Sequence, residues 1–271
     1  MAGNRKAIQG KNSPVFIHSR KGIAQLSQFG DLGQMYLNMS GAESESVFAD
    51  TWGQSLKSTL INSRSIGVTF ASASLVGPAF PSAASIGGPY ASGLIGELEA
   101  VAKMISKRAE TGNEREVYHT QIYGYDTHQD TRGKFGYLMA QLDQALVAFK
   151  GEMVAQGLWE HVAIAIASDF GRSISANGLG TDHGWGGHYP LISGGLAGGK
   201  IYGDYWPDLS DESPINLGRG RMIPGLPFDA QWHALAEWMD VRPEKMAEVL
   251  PNKDNCEVGT TLLERSEVFA N

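Results

Sequence analysis

Residues 117 to 172 constrain the fold of this 271-residue chain more strongly than any other stretch. They comprise an extended run, VYHTQIYGYDTH, then a helical pattern, and then a second apolar run, HVAIAIASDFGR. Residues 162 to 167 are all apolar, which is typical of a strand buried on both faces. A strand, a helix and a second strand form a βαβ unit, in which the two strands are parallel and the crossover is right-handed. The pattern therefore predicts an α/β fold with a mainly parallel sheet flanked by helices.

Apolar residues recur at helical spacing in both halves of the chain. In the helix between the two predicted strands, which ends near Gly157, the apolar face consists of Leu138, Leu142, Ala145, Leu146, Phe149 and Met153. In a helix over residues 90–110 the corresponding face consists of Leu94, Leu98, Val101 and Ile105. Further helices are expected at residues 22–39, 47–62 and 229–239, a loop at 68–89 and a strand within 188–195.

The length and this pattern favour one domain over residues 1–271. Residues 1–110 form a mostly helical part, and residues 111–250 form the α/β part that carries the candidate site. The N-terminal 16 residues contain basic side chains but lack the apolar run of a signal peptide. No stretch reaches the ~20 apolar residues that a membrane span needs.

The composition excludes several classes of partner and site. The formal net charge of −7 and the pI near 5.5 argue against nucleic acid or an anionic membrane as the main partner. Cys256 is the single cysteine, so the chain can form neither an internal disulfide nor a zinc site built from several cysteines. Any metal ligands must therefore be oxygen atoms and imidazole nitrogens.

Polar residues follow each predicted strand of the βαβ unit. Asp126 and His128 come just after the first strand, and Asp169 comes just after the second. The segment GTDHGWGGHYP, at 180–190, adds His183 and His188 within a run that is rich in glycine. Open α/β sheets bind ligands at the carboxyl edge of their strands. We therefore expect these five side chains to converge on one ion or one phosphate-sized ligand.

The residue types favour zinc or manganese as the ion. Two aspartates and three histidines offer mixed oxygen and nitrogen ligands, whereas magnesium prefers oxygen alone. Each residue by itself also has a simpler interpretation. Asp126 fits a turn, Asp169 fits a helix cap, and the three histidines fit solvated loop positions. The combination favours the metal site over these separate interpretations.

Several segments together carry a resemblance to a known family. They are GYDTHQD, LDQALVAFKGEMVAQGLWEHV, SDFGRSISANGLGTDHGWGGHYPLISGGLAGGKIYG and LGRGRMIP, spread over about residues 90–240. In this order they resemble the bacterial proteins grouped as domain of unknown function 1501. That family is placed in the alkaline-phosphatase and sulfatase-like superfamily, and its members often carry a twin-arginine export signal. The resemblance thus implies an alkaline-phosphatase-like fold and a periplasmic or secreted location.

The resemblance also implies roles for individual residues. Asp126 and His128 resemble one metal pair of the superfamily, and Asp169 resembles the carboxylate that serves a second metal. His183 or His188 resembles the histidine that completes the first site. Phe170 stands where alkaline phosphatases typically have a histidine. The family's early Gly-Asn-Asp-Gly segment is absent from this chain. The chain is therefore expected to resemble the middle and C-terminal part of a longer protein and to lack that protein's first strand and nucleophile segment.

The activity implied by the resemblance is metal-dependent hydrolysis of a small phosphate or sulfate ester. Thr127 and Thr181 supply the hydroxyls nearest the expected ligands, and Arg172 has the charge and shape to orient an anionic substrate. The alternative is a non-catalytic domain that a metal stabilises or that binds a surface. The sequence leaves the oligomeric state open.

Overall fold

A computed structural model describes residues 7–8, 15–16, 35, 38–39, 46–82, 93–259 and 261–270. The chain divides into two compact units. The first comprises Met1–Gly124 and Gly136–Gln156, and the second comprises Tyr125–Phe135 and Gly157–Asn271. The predicted helix at 22–39 lies almost entirely outside the described residues.

The described residues of the first unit are mainly helical. Its elements are strands β1 (Ala7–Ile8) and β2 (Val15–Phe16), and helices α1 (Val47–Ala71), α2 (Leu94–Ser106) and α3 (Arg108–Thr111). Most of helix α4 (Thr131–Ala155) also belongs to it. The two short strands pair antiparallel. Ser46 caps the N-terminus of α1, because its hydroxyl accepts a hydrogen bond from the amide of Ala49.

The apolar faces predicted for α2 and α4 form the core of the first unit. All four predicted residues of α2 are buried, and so are Leu138, Ala145, Phe149 and Met153 of α4. The remaining two predicted residues of α4, Leu142 and Leu146, are half-buried. The helical period therefore identified the buried faces correctly.

Two buried carboxylates in the first unit bind backbone amides. Glu152 accepts hydrogen bonds from the amides of Val76 (3.1 Å) and Gly77 (2.7 Å), and Glu97 accepts one from the amide of Gln121 (3.2 Å). Both side chains are at most 1% exposed. A buried charge is costly unless it has such partners, so these carboxylates fix two irregular segments rather than offering a reactive group.

The second unit mixes short strands with helices. Its strands are β3 (Ala163–Ala165), β4 (Gly171–Ala176), β5 (Thr181–Gly184) and β6 (Leu191–Ser193). Its α-helices are α5 (Asp229–Trp238), α6 (Met246–Val249) and α7 (Arg265–Val268), with 3₁₀ turns at Trp159–His161, Pro243–Lys245 and Lys253–Asn255. The strand expected within 188–195 and the helix expected at 229–239 are both confirmed.

The prediction of a mainly parallel sheet is not met in the described part of the chain. Strand β3 pairs antiparallel with β6, and β4 pairs antiparallel with β5. Residues 117–123, the first strand of the predicted βαβ unit, form no strand. The amide of Gln121 binds the Glu97 carboxylate instead of a neighbouring strand, and Gly124 has a φ of 103°, outside the extended region. The second apolar run does form a strand, but its partner comes later in the chain.

The core of the second unit lies between α5 and the C-terminal segment. Ala234, Val268 and Phe269 are buried together, and the Trp238 ring stacks on Phe269 with 5.1 Å between centroids. Among the described residues, no helix has the length and apolar content needed to cross a membrane.

Candidate metal centre

The β4–β5 hairpin places His183 at the candidate site. Its turn is closed by Asn177, whose side-chain oxygen accepts hydrogen bonds from the amides of Leu179 (3.2 Å) and Gly180 (2.8 Å). Asparagine favours such turns because its side chain can replace a backbone acceptor. In the hairpin, His183 is the cross-strand partner of Arg172. The register of the hairpin thus fixes both side chains relative to each other.

The loop that carries Asp126 and His128 is hydrogen-bonded to the same turn. The amide of Asp130 donates to the carbonyl of Leu179 (2.9 Å), and the side-chain amide of Asn177 donates to the carbonyl of His128 (3.3 Å). These bonds join two segments that lie about fifty residues apart in the sequence. They bring the DTH segment beside strand β5 without a parallel sheet.

Asp126, His128 and His183, which we call the triad, have converging side chains. The Nε2 atoms of His183 and His128 lie 2.7 Å and 2.9 Å from the same oxygen, Oδ1 of Asp126. The ring centroids of the two histidines are 4.9 Å apart. One ligand atom from each residue lies within 4.8 Å of the others, which is the spacing of atoms that can share one metal ion. All three side chains are between 44% and 58% exposed, so the triad is open to solvent.

The surroundings of Asp126 favour its ionised form. The hydrogen bond from His183 is the main cause that lowers the Asp126 pKa below its usual value of 3.8, and the electrostatic influence of the neighbouring Arg172 adds to it. A metal ligand must be deprotonated, so this carboxylate is ready to bind a cation at neutral pH.

Arg172 is held by several contacts beside the triad. Its Nε donates to the hydroxyl of Thr181 (2.9 Å), and its Nη2 donates to the carbonyl of the same residue (2.8 Å). Its Nη1 lies 3.3 Å from Oδ1 of Asp126. The guanidinium also lies over the Phe170 ring, 5.6 Å from its centroid. Most of the donors that were predicted to orient a substrate are therefore occupied by the protein itself.

The two candidate hydroxyls lie close to the triad but serve the structure. Thr127 is only 2% exposed, and its hydroxyl lies 3.4 Å from Nη2 of Arg172. The hydroxyl of Thr181 accepts the hydrogen bond from Arg172 Nε. The burial of Thr127 disfavours a catalytic role for its hydroxyl, because a buried hydroxyl is closed to a substrate in solvent.

Asp169 and His188 do not join the triad. Asp169 is exposed and contributes, after burial as the main cause, to a raised pKa of Tyr189. His188 is exposed and stacks on the ring of Tyr205, with 5.8 Å between centroids. His188 comes four residues after the end of β5, so the strand that positions His183 does not position it. The structure thus brings together three of the five predicted ligands.

Phe170 has a structural role beside the triad. Its ring stacks on that of His183 with 4.0 Å between centroids and 8° between planes. The residue that follows Asp169 therefore has a ring that supports a member of the triad.

Asp182 contacts the triad through His128, a contact that the sequence analysis did not predict. Its Oδ1 lies 3.4 Å from Nδ1 of His128, although its neighbour in the chain is His183. Adjacent residues of a strand point to opposite faces, and this alternation could have shown that Asp182 and His183 do not pair.

One family model matches the part of the chain that carries the triad. Residues 95–216 match the model of the family described as protein of unknown function, DUF1501. The predicted DUF1501 resemblance is confirmed over this stretch. It covers less than half of the chain but includes the whole triad, Arg172 and Asp182. No curated protein and no solved structure matches the chain.

Proposed function

We propose that the triad binds one divalent transition metal and that the protein acts through it on phosphate or sulfate esters. The observation that carries this proposal is the convergence of two imidazole Nε2 atoms on one oxygen of Asp126. Two hydrogen bonds to one oxygen are also possible without a metal. The metal interpretation is favoured because one ligand atom from each of the three residues fits around a single ion.

The donor set favours zinc or manganese. Imidazole nitrogen suits zinc and other transition metals, whereas magnesium takes oxygen ligands and keeps several waters. Three protein ligands with an exposed face are typical of catalytic rather than structural zinc sites, because structural sites are usually closed by four protein ligands. When bound, such an ion supplies Lewis-acid stabilisation to an anionic oxygen.

The neighbouring residues support an anionic ligand of modest size. Arg172 places a positive charge 3.3 Å from Asp126, so the site has a second cation beside the proposed ion. The resemblance to the alkaline-phosphatase and sulfatase-like superfamily points to phosphate or sulfate esters as the anion. Under this proposal Asp126, His128 and His183 hold the ion, while Arg172 positions Asp126 and contributes positive charge.

A second candidate function is a metal-stabilised domain without catalysis. The burial of Thr127 favours it, because this hydroxyl is closed to substrate. The position of Asp169 outside the triad also favours it, since the triad alone provides for one ion rather than two. Both candidates require the metal, and they differ only in turnover.

Metal analysis combined with a substrate panel separates the possibilities. Protein purified without chelator should contain close to one zinc or manganese per chain, and His183→Ala should lose it. Less than ~0.2 metal per chain, with no rise in melting temperature on adding either metal, contradicts the proposal, because a ligand of the native state must stabilise it. With metal bound, turnover of aryl phosphates or sulfates at about 1–10³ per second supports the hydrolase. No turnover favours the non-catalytic domain.

A further inference from the structure

His128 lies between two carboxylates that face its two ring nitrogens. Its Nε2 is 2.9 Å from Oδ1 of Asp126, on the side of the triad. Its Nδ1 is 3.4 Å from Oδ1 of Asp182, on the opposite side of the ring. Asp182 therefore contacts a triad member through the nitrogen that a metal in the triad would leave free.

Asp182 is itself held on three sides. The side-chain amide of Asn177 donates to Oδ1 (2.9 Å), and Nη2 of Arg219 donates to Oδ2 (2.7 Å). Its backbone amide donates to the hydroxyl of Ser173 (3.0 Å). The carboxylate thus has a fixed position.

Arg219 reaches Asp182 from an unusual turn in the LGRGR segment. Gly218, Arg219 and Gly220 have φ values of 88°, 60° and 70°, so three consecutive residues have left-handed backbone. The side-chain oxygen of Asn216 accepts hydrogen bonds from the amides of both glycines, at 2.9 Å and 3.1 Å. The carbonyl of Gly220 accepts a hydrogen bond from the amide of Ile174 in β4 (2.9 Å). These contacts attach the turn to the hairpin that carries Asp182.

The left-handed backbone of this turn lowers the stability of the fold by more than the Arg219–Asp182 ion pair raises it. Arginine is unfavourable at positive φ, since its Cβ crowds the following carbonyl. Its side chain is 71% exposed, and a surface ion pair contributes little to folding. Gly220, in the same turn, leaves no room for a side chain, because a Cβ would lie 2.4 Å from the amide nitrogen of Ser175. Backbone strain of this kind is often retained where a side chain must be placed for function.

We propose that Arg219 and Asn177 hold Asp182 so that its carboxylate accepts a hydrogen bond from Nδ1 of His128 and leaves Nε2 for the metal. All three are positioning residues, since they act through His128. The inference rests on the proposed metal site and extends it to the LGRGR segment, which lies just beyond the family match. Histidines that bind metals usually donate their second N–H to a carboxylate or carbonyl, and loss of that partner weakens binding about 10–100-fold.

Isothermal titration of the metal-free protein with zinc chloride at pH 7 tests this proposal. Asp182→Ala should weaken zinc binding about 10–100-fold, and Arg219→Ala should weaken it in the same direction by a smaller factor. Arg219→Lys should restore part of the affinity, because lysine keeps the charge but not the planar fork. Circular dichroism of each variant identifies any that fail to fold. In that case Asp182→Asn, which keeps the size of the side chain and removes its charge, replaces Asp182→Ala.

Two surface variants serve as matched controls. Arg242→Ala removes an arginine that is also 71% exposed and paired with a carboxylate, and Asp254→Ala removes an exposed carboxylate that is paired with Lys253. Neither residue contacts the triad, so both variants should keep the wild-type affinity. If they lose as much affinity as the Asp182 and Arg219 variants, the loss does not depend on the contact with His128 and the positioning role is wrong.

A nuclear magnetic resonance measurement gives a second readout. In the zinc-loaded protein, the Nδ1 proton of His128 should be protected from exchange and visible, and it should disappear in Asp182→Ala. If the wild type binds no zinc, the proposed function and this inference both fail. If the wild type binds zinc, but Asp182→Ala binds it equally well and retains the proton, only this inference fails.

Discussion

His183 and His188 form a matched pair for testing the metal site. Both lie in the GTDHGWGGHYP segment, both are exposed, and both stack on an aromatic ring. Only His183 belongs to the triad. Changing each to alanine removes an exposed stacked imidazole in both cases, but removes a proposed metal ligand in one case alone.

The expected stability changes of His183→Ala and His188→Ala follow from the contacts of each ring. In the metal-free protein, loss of stacking on Phe170 should cost His183→Ala about 0.5–1.5 kcal/mol, towards the lower end because the side chain is half exposed. His188→Ala should cost no more, since its ring is 5.8 Å from that of Tyr205. Zinc at 100 times its Kd stabilises the wild type by about 2.7 kcal/mol. His188→Ala should keep this gain, and His183→Ala should lose most of it.

Thermal unfolding in chelator and in excess zinc measures these differences. For a chain of this size, 1 kcal/mol corresponds to roughly 2–4 °C in melting temperature. Zinc should therefore raise the melting temperature of the wild type and of His188→Ala by about 5–10 °C. The rise for His183→Ala should be less than half as large. Equal rises in all three proteins would remove His183 from the site, and a loss confined to His188→Ala would exchange the two roles.

Three further predictions concern neighbouring positions. Gly184→Ala should destabilise the metal-free and metal-loaded protein alike, by about 1–3 kcal/mol, because the new Cβ would lie 2.7 Å from the backbone of Arg172. At Gly187 the nearest neighbour of a Cβ is 3.6 Å away, so Gly187→Ala should leave the melting temperature nearly unchanged in the same assay. Asp126→Asn should lower the melting temperature of the metal-free protein at pH 7. Because the pKa of Asp126 is lowered in the folded state, this difference is complete above its ordinary value of 3.8 and should shrink as the pH falls below it. Asp169→Ala should leave the zinc stoichiometry unchanged in elemental analysis, since Asp169 lies outside the triad; halved metal content would contradict this.

The helices could be predicted from the sequence because a helix makes its hydrogen bonds within one segment. The apolar period of α2 and α4 identified the faces that are buried, including Phe149 and Met153. A strand needs a partner that local pattern does not specify. The run at 117–123 has the composition of a strand, but its Gln121 amide donates a hydrogen bond to the Glu97 carboxylate. Strand β3 pairs with β6, which comes from a later segment of the chain.

Three of the five side chains that were expected to converge do so, but not for the predicted reason. Asp126 and His183 were expected to meet at the carboxyl edge of a parallel sheet. They meet instead because the turn at Asn177 is hydrogen-bonded to the loop that carries His128. The roles of Asn177 and Arg219 could not be predicted from the sequence. Asn177 acts through a turn, and Arg219 acts through an ion pair between segments that are distant in the chain.

Gly184 and Gly186 of the GTDHGWGGHYP segment are explained by space rather than by backbone conformation. Neither Gly184 nor Gly186 has a positive φ, so the left-handed conformation that would favour glycine is absent at both. At Gly184 the limiting contact is the backbone of the opposite strand, where Arg172 and Ser173 lie within 2.9 Å of a Cβ position. Gly184 therefore lets β5 approach β4 at the residue next to His183. That approach lets the His183 imidazole and the Arg172 guanidinium both reach Oδ1 of Asp126. A side chain at Gly184 should therefore destabilise the hairpin itself, with or without metal.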